Sequence, residues 1–171
     1  MAKTVLYILK PETYFKDLMA LLKRNKDKQI IYVTTNKPYK YLVGMLKKTG
    51  FSPDKTFFVD CISKHIGEEP DPEPDNCIFV EGPDTLTSIG IAVNKSIEHL
   101  EGKRILLLDS LSVLLIYNDA NTVAKFSNFV ISKLRAADIE AAILALESDV
   151  DKDIVKQLES IVDEVRGDGG Y

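Results

Sequence analysis

The sequence predicts an α/β domain of three layers, αβα, with a mostly parallel sheet, and three observations support this fold class. Short runs rich in Val, Ile, Leu and Phe alternate with stretches in which apolar residues recur at helical spacing. Most of the runs are continuously apolar, as is typical of strands that are covered on both faces. Alternating strands and helices favour right-handed crossovers, which place helices on both sides of a parallel sheet.

The apolar patterns locate the elements along the chain. The predicted strands cover residues 5–9, 30–34, 56–61, 77–80, 105–109 and 141–146. Apolar stripes predict helices over residues 15–22, 42–46, 86–100, 123–134 and 154–161. Pro38 and Gly50 mark the two ends of the second helix, following the usual preference for proline at helix starts and glycine after helix ends. The residues that can cap the last three helices are Asp84 or Thr85, Asn121 or Thr122, and Asp149 or Asp151.

Two segments do not follow this alternation of strands and helices. Residues 67–76 are acidic and proline-rich, which excludes a helix or an interior strand. We expect a solvated loop there, and a docking site for a basic partner is the alternative. The apolar run 113–117 is either a buried strand extension or a helix under the sheet; if part of it is exposed, it forms a surface for protein contact.

Length and composition limit the class of protein. The 171 residues and 45% hydrophobic content predict a single globular domain, which we place at residues 1–166, with 167–171 as a C-terminal tail. A net charge of −4 gives no general attraction to nucleic acid or to an anionic membrane. No run approaches the ~18 apolar residues of a membrane span, and no signal-peptide pattern begins the sequence. We therefore expect a cytoplasmic protein without membrane or nucleic-acid partners.

The cysteines give no metal-binding pattern. Cys61 and Cys77 are the only two in the chain, and each lies in an apolar, strand-like run. No other cysteine or clustered histidine stands at the spacing of metal ligands. We expect two buried free thiols, with a disulfide between neighbouring strands as the alternative.

The segment 10–17, Lys-Pro-Glu-Thr-Tyr-Phe-Lys-Asp, joins the first strand to the first helix. Nucleotide-binding chains carry the phosphate loop G-x-x-x-x-G-K-[ST] in this strand–turn–helix position. Lys16 matches the lysine of that loop, but Lys10 and Phe15 replace its glycines, and Asp17 replaces its Mg²⁺-binding hydroxyl. A phenylalanine does not readily adopt the positive φ of glycine, and an aspartate repels a triphosphate.

A second motif stands at the end of the fifth predicted strand, where Asp109 is followed by Ser110. Together with Lys16, it resembles the motifs of the RecA/KaiC-like P-loop ATPases, whose Walker B aspartate ends such a strand and holds Mg²⁺ through water. Residues 81–86, 114–119 and 123–135 resemble divergent KaiC-like proteins of archaeal type. The resemblance implies a RecA-like P-loop NTPase fold with a degenerate Walker A segment. Its candidate cofactor-binding remnants are Thr13, Lys16, Asp109 and Ser110.

The catalytic part of that resemblance is missing. Active members of the family carry a glutamate beyond the second strand, which activates the attacking water. The corresponding positions here are Thr34, Thr35 and Asn36, none of which is a competent base near neutral pH. Because phosphoryl transfer needs a phosphate cradle, a metal and a positioned water together, we predict no catalytic residues, no bound metal and no cofactor. Weak binding of ATP and Mg²⁺ is the alternative.

Two functional hypotheses follow. The first is a catalytically inactive RecA/KaiC-like domain that acts as a regulatory, scaffolding or protein-binding module, through a protein partner or as a homo-oligomer. The second is a weak or atypical nucleotide-binding protein of the KaiC-like family. A flavodoxin-like phosphoacceptor domain is disfavoured because it needs acids after the first strand and a lysine after the last, whereas this chain has Lys10 and Glu147 there. Single-strand nucleic-acid binding is disfavoured because residues 110–119 contain no arginine or lysine.

Overall fold

The computed structural model describes residues 1–167, which form one parallel sheet between two layers of helices. The seven strands lie in the order β4–β3–β2–β5–β6–β1–β7. The strands are β1 (Thr4–Leu9), β2 (Gln29–Thr34), β3 (Thr56–Asp60), β4 (Cys77–Phe79), β5 (Arg104–Asp109), β6 (Glu140–Leu146) and β7 (Glu164–Gly167). The helices are α1 (Tyr14–Arg24), α2 (Tyr39–Lys48), α3 (Ser63–Ile66), α4 (Leu86–His99), α5 (Leu111–Tyr117), α6 (Ala120–Ala136) and α7 (Lys152–Glu159). The predicted αβα fold class is confirmed.

The six predicted strands are all present, with ends within one residue of those predicted. The structure adds β7, which pairs with β1 at the edge of the sheet. Glu164 and Arg166 of this strand are polar and its side chains are partly or fully exposed, so no apolar run marks it in the sequence. The strand includes Gly167, at which the expected tail begins; residues 168–171 of that tail lie outside the described residues.

The apolar run after β5 is helical, as one of its alternative interpretations predicts. Leu111 and Leu114 of α5 are fully buried, whereas Ile116 and Tyr117 at its end are 72% and 42% exposed. The acidic, proline-rich residues 67–76 form a loop, also as predicted.

The sheet separates two apolar cores because successive side chains of each strand point to opposite faces. On β2, Ile31 and Val33 belong to the core that also contains residues of α4, α5, α6 and α7, and Ile30 and Tyr32 belong to the core that contains residues of α1 and α2. This double coverage explains the continuously apolar strands. None of the helices within residues 1–167 combines the length and the apolar composition needed to cross a bilayer.

The strand order creates a switch point at the carboxyl edge of the sheet. β5 lies beside β2 on one side and β6 on the other, and β6 separates it from β1. The segments that follow β1, β2 and β5 therefore emerge close together. Crevices of this kind are where open parallel sheets bind their ligands.

The helix starts confirm part of the capping prediction. Asp151 caps α7, accepting a hydrogen bond from the Ile154 N–H at 2.9 Å. Thr85 precedes α4, as predicted, but its hydroxyl donates to the Gly82 carbonyl rather than capping the helix. The prediction of Asn121 or Thr122 for α6 is wrong: Asp119 is the cap and accepts from the Thr122 N–H. The apolar stripe begins at Val123, which made the helix appear shorter than it is.

Cys61 and Cys77 are buried free thiols, so the disulfide alternative is wrong. Burial raises the pKa of both thiols well above the usual value, and the charge of Asp60 raises it further. Since the thiolate is the reactive form, both side chains serve as small apolar core residues.

Asp60, at the carboxyl end of β3, is a buried carboxylate that organises two loops. Its Oδ1 accepts from the backbone N–H groups of Ile62 at 2.9 Å and Ser63 at 2.8 Å. Its Oδ2 accepts from the Tyr39 N–H at 2.7 Å and from the Ser63 hydroxyl at 2.5 Å. Because Tyr39 begins α2, Asp60 ties the start of that helix to β3.

We expect Asp60→Ala to lower the free energy of unfolding by about 3 kcal/mol or more, measured by urea denaturation. The substitution leaves three backbone N–H groups, one buried and two partly buried, without their acceptor, and a buried orphan costs about 1–3 kcal/mol. Asp54→Ala is the matched control because Asp54 is an exposed carboxylate, and its loss should change stability by less than about 0.5 kcal/mol. Similar effects of the two substitutions would contradict the role given to Asp60.

Candidate functional site

Asp109, at the carboxyl end of β5, is the centre of a polar cluster at the switch point. Its side chain is inaccessible to solvent. The Tyr14 hydroxyl donates to Oδ1, the Tyr32 hydroxyl donates to Oδ2 at 2.7 Å, and the Lys37 Nζ lies 3.1 Å from Oδ2. We call these four residues the Asp109 cluster. Both carboxylate oxygens already have donors from the protein itself.

Three different segments supply the donors. Tyr14 is the first residue of α1, Tyr32 lies on β2 beside β5, and Lys37 lies in the loop between β2 and α2. β1 is two strand positions from β5, about 10 Å, and α1 carries the Tyr14 side chain over that gap. The cluster therefore joins segments that are distant in sequence.

Local hydrogen bonds position Lys37. The Thr34 hydroxyl donates to the Lys37 carbonyl at 2.7 Å and accepts from the Lys37 N–H at 3.2 Å, which closes a tight turn after β2. The Lys37 ammonium also lies 5.5 Å from the centroid of the Tyr14 ring, within the range of a cation–π contact. Lys37 thus contacts both the carboxylate and one of the phenols that bind it.

Thr35 holds the backbone that directly follows the Asp109 side chain. Its N–H donates to the Asp109 carbonyl at 2.9 Å. Its hydroxyl accepts from the Ser110 N–H at 2.8 Å and donates to the Ser110 carbonyl at 3.0 Å. The Asp109–Ser110 peptide is cis. Both its carbonyl and its N–H are therefore hydrogen-bonded to Thr35, the residue that follows β2.

Burial raises the pKa of the Tyr14 and Tyr32 phenols well above their usual value near 10, and the negative charge of Asp109 raises it further. Both phenols therefore act as neutral donors near neutral pH. Asp109 and Lys37 are the charged members of the cluster, and their charges are opposite.

The structure does not bring the four predicted remnants into one arrangement. Asp109 and Ser110 are adjacent and buried at the end of β5. Thr13 immediately precedes α1, and its side chain forms no capping hydrogen bond. Lys16 is exposed on α1, and within residues 1–167 no ion pair joins it to Asp109.

The sequence pattern did not predict the donors that bind Asp109. Phe15, which stands at the position of the second phosphate-loop glycine, is 47% exposed on α1, and its neighbour Tyr14 contacts Asp109 instead. Tyr32 and Lys37 lie two residues before and three residues after Thr34, the last residue of β2. Their sequence signal is a hydroxyl and an ammonium side chain flanking a strand end, which can donate to an acid at the end of a neighbouring strand.

The turn between β1 and α1 contains only residues 10–13. The Thr13 N–H donates to the Lys10 carbonyl at 3.2 Å, and the Asp17 N–H donates to the Thr13 carbonyl at 2.9 Å. Since α1 begins at Tyr14, the positions aligned with the second glycine and the lysine of a phosphate loop are helical. Within residues 1–167, no group of three or more His, Cys, Asp or Glu side chains is arranged to hold a metal ion.

Comparisons with known proteins agree with this fold. A family model described as a family of unknown function, DUF7504, matches residues 11–165. No curated protein matches the sequence. The chain is similar in structure to the uncharacterized protein PH0321 from Pyrococcus horikoshii, solved in complex with an unknown peptide, with a TM-score of 0.71 and 15% identity over 95% of this chain and 75% of that one. It is also similar to the KaiC-like protein PH0186 from Pyrococcus horikoshii OT3, with a TM-score of 0.65 and 12% identity over 95% of this chain and 70% of that one.

These structural similarities confirm the RecA/KaiC-like fold that the sequence resemblance implied. At 15% and 12% identity they concern the fold alone.

We expect Tyr32→Phe to lower the free energy of unfolding by about 1.5–3 kcal/mol, the usual contribution of a hydrogen bond to a charged group. The substitution keeps the buried ring and removes only the donor to Asp109 Oδ2. Tyr41→Phe is the matched control because Tyr41 is 61% exposed. Equal effects of the two changes in urea denaturation would contradict the energetic role of the cluster.

The raised pKa values of Tyr14 and Tyr32 predict a loss of stability at alkaline pH. Above about pH 10, the unfolded chain releases phenolic protons that the folded chain retains. Because the folded state then binds more protons, the free energy of unfolding falls as the pH rises. Urea denaturation between about pH 9 and pH 11 should show this fall, less steep in Tyr32→Phe and unchanged in Tyr41→Phe. A slope that Tyr32→Phe leaves unchanged would contradict the prediction.

Proposed function

The chain belongs to the family of unknown function DUF7504, and we propose that it is a RecA/KaiC-like domain without ATPase activity, which works as a protein-binding module with a regulatory or scaffolding role. No residue is assigned a catalytic role in this proposal. The candidate remnants Thr13, Lys16, Asp109 and Ser110 are then structural in function.

The observation that carries the proposal is that side chains of the same domain already bind both carboxylate oxygens of Asp109. An aspartate that holds Mg²⁺ through water needs carboxylate oxygens that are free to accept from that water. Here Tyr14, Tyr32 and Lys37 take both oxygens, and the Lys37 ammonium stands where it would repel a cation. As arranged, the cluster does not fit Mg²⁺.

The first crossover gives independent support. A phosphate loop binds through several backbone N–H groups that curl around the anion, which requires glycine at special positions. Residues 10–17 contain no glycine, and the N–H of Asp17 is already bonded within the helix. Thr34, at the end of β2, and Thr35 and Asn36, directly after it, provide no general base. Residues 10–17 therefore form no cradle for a triphosphate, and residues 34–36 supply no base for an attacking water.

The protein-binding part of the proposal rests on the surface. Several large apolar side chains are at least 42% exposed, and on α4 and α6 they adjoin one another. Exposed apolar patches of this kind mark sites of protein contact. The similar PH0321 structure contains an unknown peptide, which is consistent with peptide binding by a protein of this fold.

The alternative is weak nucleotide binding, and one observation favours it. The Lys37 side chain is 22% exposed at the switch point, so a phosphate that displaced it from Asp109 would meet a cation already in place. Lys16, Thr13 and Ser110 would then contact the phosphates. This alternative requires the Asp109 cluster to open.

We expect no increase in melting temperature with ATP or ADP and Mg²⁺ at millimolar concentration, because the cluster leaves the ligand no site. A ligand present at 100 times its Kd would stabilise the fold by about 2.7 kcal/mol, a clear shift in a thermal melt. The rate of ATP hydrolysis by the unaltered protein should not exceed the rate measured for the Asp109→Asn variant.

The control compares each variant with its own nucleotide-free melt. A shift of several degrees that Asp109→Asn abolishes, but Asp54→Asn retains, would replace the proposed function with the nucleotide-binding alternative.

A further inference from the structure

A groove between α4 and α6, on the opposite face of the sheet from α1 and α2, is lined by apolar side chains. Its volume is about 680 Å³, within the range of ligand-binding clefts. We call it the α4–α6 groove and define it by Gly90, Ile91, Phe126 and Phe129. Ile91 and Phe129 remain 54% and 50% exposed, although both lie beside buried core residues.

Gly90 and Phe129 shape the groove together. A Cβ added at Gly90 would lie 3.3 Å from the Phe129 ring, closer than ordinary van der Waals contact. The absence of a side chain at Gly90 therefore lets Phe129 of α6 approach the backbone of α4. The result is an apolar surface of aromatic and aliphatic groups that is open to solvent.

The rim of the groove is positively charged. Lys95, Lys125 and Lys133 line it with a single acid, Glu98, in a chain whose net charge is −4. All three lysines are exposed, and within residues 1–167 the ion pairs formed by lysines involve Lys3, Lys28, Lys37 and Lys64 instead. Lys133 also lies 5.7 Å from the centroid of the Phe129 ring. The charge of the groove is thus opposite to that of the whole chain.

We infer that the α4–α6 groove binds an acidic amphipathic helix of a partner protein; the inference rests on the proposed protein-binding function and names its surface. Apolar residues of such a helix would cover Ile91 and Phe129, and its flanking carboxylates would pair with the three lysines. α4 has 14 residues, about 21 Å of length, and offers room for roughly four turns of a partner helix.

Three other occupants fit less well. A strand-like peptide needs the unpaired backbone groups of a sheet edge, which two helices do not provide. A second copy related by a two-fold axis would place the same lysines opposite each other. A membrane surface would have to follow a concave groove rather than meet a protruding apolar face.

The test uses a displayed library of random 14-residue peptides, selected on the whole protein, with affinities of enriched peptides then measured by fluorescence anisotropy. We expect enriched peptides to carry net negative charge with apolar residues at i, i+3 or i+4, and i+7. Phe129→Ser should weaken their binding about tenfold or more. The charge reversal Lys95→Glu, Lys125→Glu and Lys133→Glu should do the same.

Matched controls separate groove binding from general effects of charge and apolar surface. Phe15→Ser removes another half-exposed aromatic, and the triple variant Lys23→Glu, Lys40→Glu and Lys47→Glu reverses three exposed lysines on the opposite helical layer. Both controls should retain affinity within about twofold. Thermal melts check that every variant is folded, and Ile91→Ser provides a second apolar variant if Phe129→Ser does not fold.

Several results would overturn the inference. These are the absence of enriched peptides, enrichment of basic peptides, and affinities unaffected by the groove variants. A doubling of the mass in solution that Phe129→Ser abolishes would assign the groove to a second copy. Binding to vesicles with phosphatidylserine that is lost in the lysine variant would assign it to a membrane. Peptides that bind at another surface would contradict the groove inference but leave the proposed function intact. Nucleotide binding, in contrast, would contradict the proposed function whatever the peptides do.

Discussion

The burial of Asp109 is the constraint on which the rest of the structure depends. A carboxylate inside a protein is tolerated only when donors replace the water it has lost, and an unpaired one would cost several kcal/mol. Tyr14, Tyr32 and Lys37 provide those donors from three segments. This need for donors places the start of α1, the Tyr32 side of β2 and the turn before α2 around the end of β5. The switch point is therefore a packed part of the domain.

Asp60 applies the same physical rule one strand further along. It is also buried at a strand end, but its donors are mainly backbone N–H groups of the adjacent loops. Asp60 therefore shapes its own surroundings, while Asp109 ties together segments that are distant in sequence. With both carboxylates bound within the domain, the surface available to a partner lies elsewhere, and the α4–α6 groove is an apolar opening on the other face of the sheet from α1 and α2.

The sequence predicted the strands well because burial on both faces leaves a continuous apolar run, which is a local signal. It missed β7, since a short edge strand with Glu164 and Arg166 carries no such run, and β7 forms only by pairing with β1. It misplaced the start of α6 because the apolar stripe begins after the true cap, Asp119. At the candidate site, it found Asp109 by its place at a strand end.

By itself, the sequence determined the layered α/β architecture, the loss of glycines from residues 10–17 and the acid at the end of β5. These depend on residue types at fixed spacing, which periodicity and backbone sterics can interpret. Only the tertiary structure decided that Tyr14 rather than Phe15 contacts Asp109, that Lys37 joins it, and that Lys16 faces solvent. Those contacts depend on the strand order, which sets the distance between β1, β2 and β5 and which no local pattern records.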